Sequence, residues 1–67
     1  MGKATSLSDD DVAVLRLLSR GLTTDAISRD LGVSERTLRR RVRAICDRIG
    51  VKTPIEAVVW AVRGRQI

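Results

Sequence analysis

The sequence predicts an all-α fold, a compact tetrahelical domain with no strand and no wing, and three observations predict it. Apolar residues recur at helical rather than alternating spacing. Hydroxyl residues stand where a helix needs an N-terminal cap, and glycines stand just past the ends of the first three apolar stripes. Sixty-seven residues make one domain at most, and a chain of this size buries only about 60% of the surface its unfolded form exposes. Its stability is therefore modest or borrowed from a partner.

Leu7-Ser8-Asp9-Asp10-Asp11-Val12 opens the first helix, about residues 9–20. Ser8 is its N-cap, Asp11 closes a capping box, and Leu7 and Val12 are spaced as a hydrophobic staple. Three aspartates favour the positive helix end. Val12, Leu15 and Leu18 recur on one face with Val14 and Leu17 beside them, and Gly21 supplies a left-handed terminator. Thr23 caps a second helix beginning at Thr24, with Ile27 and Leu31 as its expected inward face. Gly32 ends it and Ser34 caps the next, so only about three residues join two helices, which forces a sharp crossing.

The third helix, residues 35–49, has the clearest pattern, because Leu38, Val42, Ile45 and Ile49 form one stripe. At roughly 100° per residue, Arg36, Arg40, Arg43 and Asp47 project from the opposite side. Arg39 lies on one shoulder, Thr37 and Ala44 on the other. Gly50 stops the helix. Thr53-Pro54-Ile55-Glu56 then reads as an N-cap, a proline at the first helical position and a capping-box glutamate. The fourth helix runs to about Arg63 and is apolar on two sides. Ile55, Val58, Val59 and Val62 are expected to face the core, leaving Ala57, Trp60, Ala61 and Gly64 to point elsewhere. Met1–Ser6 is expected to be a flexible N-terminal segment before a domain over residues 7–67, whose last three residues are also expected to be loose.

Composition excludes several classes. No apolar stretch approaches the roughly 20 residues of a membrane span, and no secretory signal opens the chain, so a cytoplasmic location without membrane association is expected. Cys46 is the only cysteine and histidine is absent, which rules out an intramolecular disulfide and leaves a zinc site without its usual ligands. Cys46 flanks the apolar stripe of the third helix and reads as a small buried hydrophobe. The usual general base is missing and no serine sits in a nucleophile elbow. An enzyme is the least supported class, and no cofactor, metal or small-molecule ligand is expected.

Charge is unevenly placed. Residues 35–67 carry nine basic and three acidic side chains, against four and five in residues 1–34. The positive field therefore belongs to the C-terminal half, and such a surface attracts phosphate backbones or acidic proteins. A helix of about 15 residues, pinned inward by one stripe and presenting arginines on the other face, fits a DNA major groove. Arginine brings a permanent charge for phosphates and a planar fork for the O6 and N7 edge of guanine. Ser34, Thr37 and the amides opening the helix can anchor phosphate. Asp47 can pair with Arg43 at i, i+4 or accept from cytosine, and the spacing favours the pair.

From Leu7 to Ile67 the chain resembles the LuxR-type (GerE, NarL) helix-turn-helix family of transcriptional regulators. The resemblance is carried by Leu7-Ser8 with Asp11, Val14-Leu15, Leu17-Leu18, Gly21-Leu22-Thr23, Ile27 and Leu31. It continues through Val33-Ser34, Thr37-Leu38-Arg39, Val42, Ile45, Arg48-Ile49-Gly50-Val51 and Glu56-Ala57-Val58. Ala26, Ser28, Asp10 and Arg41 depart from the residues the family often has, and Arg41 is expected to lay its stem along the first helix or touch a flanking phosphate. The resemblance implies a compact four-helix helix-turn-helix domain that binds double-stranded DNA as the effector of a regulator, including response regulators. Family modules follow a receiver or ligand-sensing domain, which these residues do not include, so an excised effector and a natural short protein are both compatible with the chain.

The resemblance places the third helix in the major groove. Arg40 and Arg43 are expected at base edges, Arg39 at base or phosphate, Arg36 at the backbone, and Ser34 and Thr37 near phosphate. It also implies a homodimer on DNA through the fourth helix, where Ala57, Trp60, Ala61 and Gly64 are expected to let a second helix approach; Trp60 can instead seal the core. A protein-interaction module with an acidic partner is the alternative from another class. A sigma-factor-like helix-turn-helix, with RNA polymerase as partner, is the alternative within nucleic-acid binding.

Overall fold

A computed structural model describes residues 7–67, so the expectation for Met1–Ser6 falls outside the described residues. The chain folds into α1 (Asp9–Ser19), α2 (Thr24–Leu31), α3 (Glu35–Ile49) and α4 (Pro54–Arg63), with no strand among the described residues. Each helix starts on a hydroxyl. Ser8, Thr23, Ser34 and Thr53 accept from the amides of Asp11, Ala26, Thr37 and Glu56, each at 3.1 Å. The capping boxes at α1 and α4 close from the other side through the Asp11 and Glu56 carboxylates.

The helices also end alike. The amides of Leu22, Val33, Val51 and Gln66 donate to carbonyls five residues earlier, those of Leu17, Ser28, Cys46 and Ala61. Such a reversal needs a left-handed residue just before the donor. Gly21, Gly32 and Gly50 supply it after the first three helices, and Arg65 at φ 57° after α4. The last three residues, expected to be loose, are instead tied down: the Gln66 amide lies 2.7 Å from the Ala61 carbonyl and Ile67 packs on the core.

α3 runs through the middle of the domain, with α2 and α4 packed on it and α1 touching all three. Val14, Leu15, Ile27, Leu38, Val42, Ile45 and Cys46 form the core with Ala57 and Ala61, while Leu17, Leu18, Leu22, Val33 and Ile49 close its edges. Burying each large aliphatic side chain contributes about 1.5–3 kcal/mol. The buried polar residues are Asp11 and Ser28, and the Ser28 hydroxyl donates to the Asp25 carbonyl at 2.8 Å. Among the described residues no buried side-chain polar atom lacks a partner.

Two expectations about facing are corrected. Leu31, taken as inward, is 36% exposed at the rim of a cleft with Asp10, Val33 and Arg41. α4 is turned by about a third of a revolution from its expected orientation, so that of the four residues expected to face the core only Val58 packs on it. Ala57 and Ala61 are fully buried, whereas Ile55, Val59 and Val62 are 74%, 43% and 53% exposed. The physical reason is volume. α4 packs against both α1 and α3, and an i, i+4 pair of methyl groups admits that close approach where a valine ridge does not.

Candidate nucleic-acid interface

The third helix is presented by three devices. At its start, Ser34 Oγ accepts from the Thr37 amide and donates to Thr37 Oγ1 at 3.0 Å. That commits the Ser34 hydroxyl to the cap and leaves Thr37 as the hydroxyl with a proton still to donate. Across the sharp turn, Thr24 Oγ1 donates to Glu35 Oε2 at 3.3 Å, joining the N-termini of α2 and α3. Near the far end, Arg48 Nη1 reaches Asp11 Oδ2 at 3.5 Å, the same carboxylate oxygen that takes the Ser8 amide. Asp11 thus caps α1 and holds α3 against it, a double use that its capping position alone does not announce.

Between these fixings stands the cationic face. Leu38 and Ile45 are essentially buried and Val42 nearly so, which turns Arg36, Arg39, Arg40 and Arg43 outward, all exposed. Among the described residues the ion pairs join Arg29 to Asp25, Arg41 to Asp10 and Arg48 to Asp11. None takes a guanidinium from this face. Arg41 is drawn off it, reaching Asp10 of α1 at 3.5 Å, on the side where its stem is expected to lie. Asp47 is exposed on the same face and makes no pair with Arg43, so the pairing that the spacing favours is not formed.

On one flank of α3, Arg39, Arg43 and Asp47 line a groove with Leu18, Val42, Cys46, Val51 and Lys52. Sequence reasoning passed over Lys52 because it lies in the turn after α3, outside any helical pattern. Cys46 is buried as expected. Burial pushes its thiol pKa up, with Asp47 and Glu56 adding to the shift, so at neutral pH it is a protonated and poorly nucleophilic group.

The four α4 residues expected at a subunit interface separate. Ala57 and Ala61 are core methyls and cannot touch another chain, a correction that follows from the turn of the helix. Trp60 and Gly64 line an open apolar groove with Val51, Ile55 and Val59, while Trp60 also packs on the core. Among the described residues no cluster of three or more potential metal ligands occurs, and no helix is long and apolar enough to cross a membrane.

Residues 5–61 match the sequence model of the family described as bacterial regulatory proteins, luxR family. The chain is 41% identical over 59 residues to the transcriptional regulatory protein YdfI of Bacillus subtilis (strain 168), an alignment covering 88% of this chain and 28% of that protein. It is 42% identical over 50 residues to the bialaphos biosynthetic pathway regulatory protein of Streptomyces hygroscopicus, covering 75% of this chain and 20% of that one. The chain thus spans under a third of the length of either relative. No solved structure matches it.

Proposed function

The chain belongs to the luxR family of bacterial regulatory proteins, a class of DNA-binding regulatory domains rather than of enzymes, and from that premise we propose that it reads double-stranded DNA sequence-specifically as the effector domain of a transcriptional regulator. α3 enters the major groove. Arg40 and Arg43 address base edges, Arg39 a base or a phosphate, and Arg36 the backbone. Thr37, oriented by Ser34, donates to phosphate. The observation that carries this reading is the row of exposed guanidinium groups without carboxylate partners among the described residues, opposite a buried aliphatic stripe.

The domain binds as a homodimer through α4, by the face of Ile55, Val59 and Val62 with the adjoining groove at Trp60 and Gly64. Support comes from three large aliphatic side chains left in water on one side of a ten-residue helix. A salt titration with duplex DNA tests the reading. Affinity is expected to fall with a slope of about −0.9 per phosphate contacted while sequence preference survives. Arg43→Ala is expected to cost about 1–3 kcal/mol at the preferred site and relax one base pair, and Arg36→Ala to flatten the salt slope by about one. Absence of duplex binding at low salt overturns the proposal in favour of an acidic protein partner. A concentration-independent monomer on a two-half-site duplex overturns the dimer.

A further inference from the structure

Asp47 shares the angular face of the arginines and lies past Arg43, toward the C-terminal end of α3. At about 100° per residue it lies about 20° from Arg36 and Arg40 and about 40° from Arg43 around the α3 axis. The pair with Arg43 that its spacing offers is absent, and the carboxylate is exposed. On a surface meant for phosphates alone, such a charge only repels the backbone. Its presence one turn beyond Arg43, on the same face, therefore points to a donor on the DNA.

The major groove offers two amine donors, cytosine N4 and adenine N6. Adenine sets the N7 acceptor beside its amine, which opposes a carboxylate, whereas cytosine presents the amine alone. Reach is the remaining requirement, because an aspartate side chain is short. Ala44, three residues before Asp47, is exposed and ends in a methyl group, so on that side of Asp47 the helix can come close to the base edges.

Resting on the reading of α3 as a major-groove helix, we propose that Asp47 is a specificity-determining residue whose carboxylate accepts from the N4 amine of a cytosine. The four residues from Arg43 to Asp47 rise about 6 Å, so that cytosine lies within about two base pairs, at about 3.4 Å each, of the guanine addressed by Arg43.

The test is selection of bound duplexes from a random pool by the 67-residue chain and by its Asp47→Ala and Asp47→Asn variants, with circular dichroism to verify folding. The unaltered chain is expected to enrich a cytosine near the guanine that Arg43→Ala loses. Asp47→Ala should lose the cytosine, keep the guanine and bind the selected site about tenfold more weakly, yet bind random duplex more tightly because a negative charge has gone. Asparagine pairs with adenine N6 and N7, so Asp47→Asn should shift that position from cytosine to adenine. If Asp47→Ala tightens binding to every sequence alike with an unchanged preference, the inference is overturned while the DNA-binding reading stands. If the unaltered chain enriches no sequence at all, both fall.

Discussion

α3 and α4 each bury one ridge and turn a contrasting face to solvent. The outer face of α3 carries Arg36, Arg40, Arg43 and Asp47, with nothing apolar larger than Ala44; that of α4 carries Ile55, Val59 and Val62. Hydrated charges are stable where they stand. Apolar area left in water forgoes about 25 cal/mol per Å² that a partner surface would recover. The difference teaches that a chain too small for two domains can divide its tasks between helices, each face naming its complement: an anionic surface for α3 and another apolar surface for α4.

Truncation at an inner ridge and at an outer face should have very different effects. Leu38→Ala removes a fully buried side chain of α3, and the lost burial plus the cavity should cost about 2–5 kcal/mol in urea denaturation. Ile55→Ser on α4 should change monomer stability by no more than about 0.5 kcal/mol, although the sequence pattern places Ile55 toward the core. If the two variants lose comparable stability at low protein concentration, the assigned outer face of α4 is wrong. The second test inserts volume where the structure leaves none. Ala57→Leu should cost about 1–3 kcal/mol by overpacking between α4 and its neighbours, whereas Val59→Leu should be nearly neutral.

Those tests bear on what could be read from residues alone. The helix boundaries were legible because each end is written in local chemistry, as Ser8, Thr23, Ser34 and Thr53 cap and Gly21, Gly32 and Gly50 terminate. The inner face of α3 was legible because charge occupies the rest of its circumference, leaving one choice. α4 offers two apolar faces, so pattern could not choose between them. The deciding quantity was the space between α1 and α3, which is a property of the packed domain and favours Ala57 and Ala61 over bulkier side chains. Partnerships across the chain, such as Arg48 with Asp11 and Arg41 with Asp10, likewise depend on which helices meet. For the same reason the i, i+4 rule misjudged Arg43 and Asp47, since a weak pair worth about 0.2–0.5 kcal/mol does not bind two exposed side chains together.

The comparison extends to how the two helices stop, where the expected effects are smallest. α3 stops at Gly50 with φ 78°, α4 at Arg65 with φ 57°, and both reversals carry the same hydrogen bond to a carbonyl five residues back. A Cβ at Gly50 would meet nothing within 4 Å, so Gly50→Ala isolates the backbone cost of the left-handed conformation. That cost is about 1–2 kcal/mol, and about 1 kcal/mol lowers the melting temperature of so small a domain by roughly 4–8 °C. Arg65→Gly should act in the opposite direction and by less. It relieves the same conformation, but it also removes a cation from the negative end of α4, worth about 0.3–1 kcal/mol, and adds freedom to the unfolded chain. The net gain should be about 0.5 kcal/mol or below, seen as a small rise in melting temperature that grows with salt as the lost charge interaction is screened. A fall in stability instead would mean that the Arg65 side chain, rather than the hydrogen bond from Gln66 to Ala61, holds the end of α4 in place.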